Sequence, residues 1–217
     1  MSIKVTLFDL DGTVLNTIDD LADSVNHAMT SLGFPARTVS EVRTICGNGP
    51  RDLIRRCLPE IATDDEFEEC LKRFKAHYET NKTNKTAPYE GIIDALKELK
   101  SNGYKVALVS NKHDDAVRDL ANNYFGDILD LSIGSSDVVP KKPAPDMVKI
   151  ALKELSASES EAVFIGDSEV DVQTAKNAGL PCIAVTWGFR DRDILVNAGA
   201  TNFVDSTSEL VAAIKAL

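Results

Sequence analysis

Residues 3–17 read IKVTLFDLDGTVLNT, and the reading of this stretch decides the fold. Val5, Leu7 and Phe8 form a short apolar run with the length and composition of a buried strand. Asp9 and Asp11 follow it, then Gly12 and Thr13. On an extended backbone residues i and i+2 point to the same side, so both acids can face one ligand at the carboxyl end of the strand. Gly12 lets the chain turn sharply there. Two carboxylates side by side raise each other's pKa unless a cation lies between them, and hard oxygen donors suit Mg²⁺ or a similar ion. Taken alone, D-x-D-G-T also suits an acidic turn after a strand, because Asp and Gly are common turn residues. The rest of the chain has to decide.

Beyond Asn16 the period changes from strand to helix, with Leu21, Val25, Ala28, Met29 and Leu32 at helical spacing up to Gly33. Residues 40–82 read as further helices, broken at residues 47–50 and at Pro59, with the last running over 64–81. Phe67, Cys70, Leu71, Phe74 and Tyr78 share one face of it, and no strand-like run occurs in the region. The polar residues 81–88 look like a hinge or linker. From there strands and helices alternate. Helix is expected at 92–102, 114–122, 145–155, 170–178 and 208–217, and strand at 104–109, 162–165, 182–185 and 202–204, with a short apolar run at 128–133. Such alternation indicates an α/β fold, a Rossmann-like parallel sheet with helices on both faces. The expected division is a core of residues 1–15 and 86–217 interrupted by an all-helical domain, residues 16–85.

Composition narrows the function. With 217 residues, 43% hydrophobic, the chain can bury a substantial core. A net charge of −10 argues against nucleic-acid binding, which needs a basic surface, and means that an anionic substrate must be captured by local cations and backbone amides. The first residues lack the pattern of a signal peptide, and no run approaches the ~20 apolar residues that span a bilayer. Cys46, Cys57, Cys70 and Cys182 show no C-x-x-C spacing, so reduced thiols in a cytoplasmic protein are expected, acting as monomer or homodimer.

Three apolar runs end in polar residues where open parallel sheets bind ligands, outside the carboxyl ends of the strands. They deliver Asp9 and Asp11, then Ser110 and Asn111, then Gly166, Asp167 and Ser168. Asp171, four residues after Asp167, can share a helix face with it, which would gather up to four carboxylates round one divalent cation. Positive charge for a phosphate comes from the stiffened loop Pro140-Lys141-Lys142-Pro143. Lys142 is preferred, although spacing does not choose between the two lysines.

Together DLDGT, VSNK, KKPAPD and GDSEVD resemble the four motifs of the haloacid dehalogenase-like superfamily, in the family's order, with the helical insertion where its type-1 cap lies. The resemblance implies that Asp9 is the nucleophile, forming an aspartyl-phosphate. It makes Asp11 the general acid and then base, and places Mg²⁺ on Asp9, the Asp11 carbonyl and Asp167, with Asp171 in support. Ser110, Asn111 and Lys142 would hold the phosphoryl oxygens, and Gly12 and Thr13 would line the same pocket. Asp11 and the Asp167/Asp171 pair favour phosphoryl transfer over dehalogenation. The stretch Ile45-Cys46-Gly47-Asn48-Gly49-Pro50-Arg51 is similar to the G-N-G loop of the phosphoglycolate phosphatase-like subfamily, as is Thr186-Trp187-Gly188-Phe189-Arg190. Asn48 and Gly49 would then shape the cap loop, and Arg51 suits a substrate carboxylate. The expected activity is Mg²⁺-dependent hydrolysis of a small phosphorylated metabolite. Pyrophosphatase, nucleotidase, sugar phosphatase or phosphomutase chemistry, and a phospho-accepting receiver-type module, are the alternatives. Trp187 is expected to pack in the core, and His27, His77 and His113 to lie on surfaces or between helices.

Overall fold

The computed structural model describes residues 2–217. In chain order the elements are β1 (Val5–Phe8), β2 (Leu15–Asn16), α1 (Ile18–Thr30), α2 (Val39–Ile45), α3 (Pro50–Cys57), α4 (Asp64–Asn81), β3 (Ala87–Pro88), α5 (Ile92–Ser101) and β4 (Lys105–His113). They continue with α6 (Asp114–Tyr124), β5 (Leu131–Ser135), α7 (Asp146–Glu154), β6 (Ala162–Gly166), α8 (Glu169–Ala178), β7 (Cys182–Val185), α9 (Arg192–Asn197), β8 (Asn202–Val204) and α10 (Thr207–Lys215). The chain forms two compact units, one of Met1–Leu15 and Pro88–Leu217, the other of Asn16–Ala87.

The first unit is built on a six-stranded sheet in the order β5-β4-β1-β6-β7-β8, with every pairing parallel. Successive residues of the central strands enter opposite cores, as the continuous apolar runs require. Phe8, Leu108 and Ile165 face α5, α6 and α10, while Leu7, Ala107 and Phe164 face α7 and α8. All six of these side chains are fully buried. Truncating one of the large ones to alanine would cost about 2–5 kcal/mol through lost contacts and the cavity left behind. The chain moves outward from β1 to β4 and β5 on one side, then returns to β6, β7 and β8 on the other. That reversal beside β1 is the topological switch point at which such sheets bind ligands.

Several details depart from the sequence expectation. β4 continues through Ser110 and Asn111 to His113, with an irregular register against β5 between Val109 and His113. The apolar run at 128–133 resolves into a short 3₁₀ turn, Gly126–Ile128, followed by β5. α9 was not anticipated. Only Leu195 of its six residues is buried, which leaves no periodicity to read.

The second unit is helical. Leu21, Val25, Ala28 and Met29 of α1 and Phe67, Cys70, Leu71, Phe74 and Tyr78 of α4 supply its buried face. Thr38 and Thr63 close capping boxes with Glu41 and Glu66, which fixes where α2 and α4 begin. The buried Asp20 carboxylate accepts the Lys85 and Thr86 amides, the latter at 2.8 Å, tying the end of this segment back to α1. No disulfide joins any of the four cysteines. Among the described residues no helix is long and apolar enough to cross a membrane.

Candidate active site

The polar residues at the carboxyl ends of β1, β4 and β6 converge. The Asp9 amide donates to the Ile165 carbonyl at 2.9 Å, which locks the end of β1 to β6. One carboxylate oxygen from each of Asp9, Asp167 and Asp171 lies within 4.8 Å of the others, and all three residues are buried. Asp167 stands in the turn before α8 and not on the helix. Ser168 caps the helix, and Asp171, in its first turn, completes the capping box.

Lys142 is the cation among these acids. Its Nζ donates to Asp9 Oδ1 and to Asp171 Oδ1, both at 2.7 Å. Lys142 is buried and Lys141 is exposed, so the loop's register makes the choice that spacing could not. The Asn111 side chain fixes that register. Its Oδ1 accepts the Lys142 amide at 2.8 Å and its Nδ2 donates to the Lys142 carbonyl at 3.0 Å. The Asn111 side chain thus clamps the lysine loop. Ser110, buried at the end of the apolar part of β4, accepts the Lys112 amide through its hydroxyl at 3.3 Å.

The fourth acid stands apart. The Asp11 carboxylate forms an ion pair with Lys112 at 3.0 Å and does not join the cluster of three, so one cation point gathers three carboxylates and not the four allowed by spacing. Lys112 was not singled out from sequence, and its position next to Asn111 was the available signal. Thr13 and Gly12, expected to line the substrate, form the turn after β1 that packs against Asp167. Thr13 is fully buried and its hydroxyl donates to Asp167 Oδ1 at 3.0 Å. Gly12 turns with φ +90°, and its amide donates to the Leu15 carbonyl at 2.8 Å. A side chain on Gly12 would collide with Asp167, its Cβ only 2.8 Å from Cγ.

The residues expected on the helical unit occupy the start of α3. Gly49 is the N-cap, with φ +86°, and Asn48 precedes it. The Arg51 fork is bidentate to Glu68, at 2.6 and 3.1 Å, and stacks over Phe67. Trp187 is half-buried beside Tyr89 and also works as a donor, its indole N–H reaching the Thr13 carbonyl at 3.0 Å.

Burial and the neighbouring charges perturb the cluster. Burial, with Asp171 and Asp11 adding to it, pushes Asp9 up to about 7 against the pull of Lys142. Burial and the charges of Asp171 and Asp9 hold Asp167 well above the usual carboxylate range, opposed by donors from Phe189 and Thr13. Burial alone would pull Lys142 down, but Asp171 and Asp9 keep it above an ordinary lysine. With all three acids ionised, the single ammonium would leave two negative charges uncompensated in this buried site, and burial together with that excess is what raises Asp9 and Asp167. A divalent cation with oxygen preference fits that donor set in charge and in chemistry.

Residues 6–185 match the family of haloacid dehalogenase-like hydrolases. A phosphoglycolate phosphatase of Pseudomonas aeruginosa is 32% identical over 96% of this chain and 78% of its own. A crystal structure from Lactobacillus delbrueckii, assigned there as a candidate phosphoglycolate phosphatase, superposes with a TM-score of 0.95, 34% identity and full coverage of both chains. CbbY from Rhodobacter sphaeroides, crystallised with xylulose-(1,5)bisphosphate, is similar at a TM-score of 0.74 and 27% identity, over 98% of this chain and 99% of its own.

Proposed function

The chain belongs to the haloacid dehalogenase-like hydrolases, and from that premise we propose that it is a Mg²⁺-dependent phosphatase of small phosphomonoesters, phosphoglycolate or a close analogue among them. The observation that carries this reading is the buried Asp9 at the sheet's switch point, facing two further acids and a shared lysine, with a second carboxylate two residues on. Asp9, the Asp11 carbonyl and Asp167 would hold the ion, with Asp171, whose two oxygens already accept from Lys142 and Ser168, in a supporting role. When bound, Mg²⁺ offsets the charge of the phosphoryl oxygens and of the attacking carboxylate.

The residues then divide the work. An Asp9 carboxylate oxygen attacks phosphorus, the new O–P bond forms as the bond to the leaving oxygen breaks, and Asp11 supplies that oxygen's proton. Asp11 next takes a proton from water, whose oxygen attacks the aspartyl-phosphate and releases inorganic phosphate and the Asp9 carboxylate. Lys142 and the Ser110 hydroxyl steady the phosphoryl oxygens, and Asn111 holds the lysine loop in place. The helical unit serves as the cap. Asn48 and Gly49 shape its loop, and Arg51 exchanges Glu68 for a carboxylate of the substrate.

The alternative class is a sugar phosphate or sugar bisphosphate, as CbbY's bound ligand suggests, but the 0.95 superposition with the Lactobacillus delbrueckii structure favours the smaller substrate. A panel of phosphometabolites assayed with Mg²⁺ separates the two by kcat/KM. Asp9→Asn should abolish turnover of every ester, and substantial remaining activity would mean that the nucleophile is another residue.

A further inference from the structure

The loop Thr186–Arg190 meets Asp167 and the turn after β1 at consecutive residues. Trp187 Nε1 donates to the Thr13 carbonyl at 3.0 Å. A Cβ on Gly188 would fall within 2.5 Å of both Asp167 Oδ2 and the Gly12 carbonyl oxygen, so the backbones meet with no room between them. The Phe189 amide donates to Asp167 Oδ2 at 2.7 Å. Both ends of the loop are tied down. The Thr186 amide donates to the Val204 carbonyl and its hydroxyl to Asp205, at 3.2 and 2.7 Å, while the buried Arg190 donates to Glu169 at 2.8 Å.

We propose that this loop is a brace that positions Asp167 and the Gly12–Thr13 turn, and thereby sets how tightly the carboxylate cluster binds a divalent cation. The proposal rests on the reading of Asp9 and Asp167 as cation ligands. Asp167 is buried and accepts from two neutral donors, Thr13 Oγ1 and the Phe189 amide, one on each oxygen. Neutral donors orient a carboxylate without cancelling its charge, so the charge stays available to a metal. The Thr13 donor is itself held through its own carbonyl by Trp187, which makes the indole a positioning group two hydrogen bonds away from Asp167. A glycine is required at 188 because any side chain would push Asp167 out of line. None of these three residues carries a charge that could bind the ion itself.

The test is calorimetric titration of the full-length protein with Mn²⁺ alone, which reads the cluster without substrate. Loss of groups that orient metal ligands typically weakens affinity about 10–100-fold. Trp187→Phe should raise the Mn²⁺ Kd about tenfold, and Gly188→Ala, which displaces Asp167 directly, on the order of a hundredfold. In steady state the apparent KM for Mg²⁺ should rise by a similar factor, with a smaller fall in the maximal rate at saturating metal. Should one variant fail to fold, the other decides. Wild-type Kd in the folded variants, with only a lower metal-free melting midpoint, would show that the loop is structural and overturn the proposal. Absence of Mn²⁺ binding to the wild type would overturn the cation reading, and the brace with it.

Discussion

Replacing Lys142 by methionine removes the ammonium that the buried acids share while keeping most of the side chain's length. Lys142 Nζ lies 2.7 Å from both Asp9 and Asp171, and its side chain is 2% exposed, so water cannot take its place. Removing one partner of a buried ion pair costs about 3–5 kcal/mol, because the other charge is left unpaired. Two acids lose their partner here, so the upper half of that range applies at pH 8, where the carboxylates are most ionised. The cost shrinks on acidification. Burial and the nearby acids already push Asp9 up to about 7 with the lysine present, and its loss raises Asp9 further. Between that value and the ordinary carboxylate value of about 4, the native state holds a proton that the unfolded chain does not. Stability therefore rises as pH falls through this window, and it rises more for the variant. At about 2–4 °C per kcal/mol for a chain of this size, the melting midpoint should drop by roughly 8–20 °C at pH 8 and by less at pH 6. Scanning calorimetry in EDTA at the two pH values measures both drops. A change of under about 2 °C at pH 8, or a larger drop at pH 6, would refute the reasoning.

Metal removal should have its own pH signature. Mg²⁺ must displace protons from Asp9 and Asp167, both raised, so the midpoint gained on adding it should be larger at pH 8 than at pH 5.5. At a hundredfold excess over Kd the gain is about 2.7 kcal/mol, and equal gains at the two pH values would argue that the ion binds elsewhere. Asp11→Asn should still allow Asp9 to attack p-nitrophenyl phosphate, whose leaving group needs no proton, but should stall hydrolysis of the adduct. Rapid mixing should then show a burst of one p-nitrophenolate per site before a slow phase, and absence of a burst would remove Asp11 from the second step. Asp20→Ala leaves the Lys85 and Thr86 amides without their acceptor and should cost about 2–3 kcal/mol, read by urea denaturation.

Sequence alone determined the sheet, because β1, β4 and β6 are buried on both faces and such strands must be continuous apolar runs. It also picked out the acids at their ends, since polar residues directly after such runs can only emerge at the carboxyl edge. Helical periodicity marked α1 and α4, which bury one clear stripe, and missed α9, which buries a single leucine. Tertiary structure alone decided what each polar atom touches. It buried Lys142 and left Lys141 in solvent, turned Thr13 onto Asp167, paired Asp11 with Lys112, and brought Trp187 to a carbonyl 174 residues away in sequence. The physical reason is range. Burial patterns repeat every two to four residues and are written locally, whereas a hydrogen bond across the site depends on where distant loops come to rest.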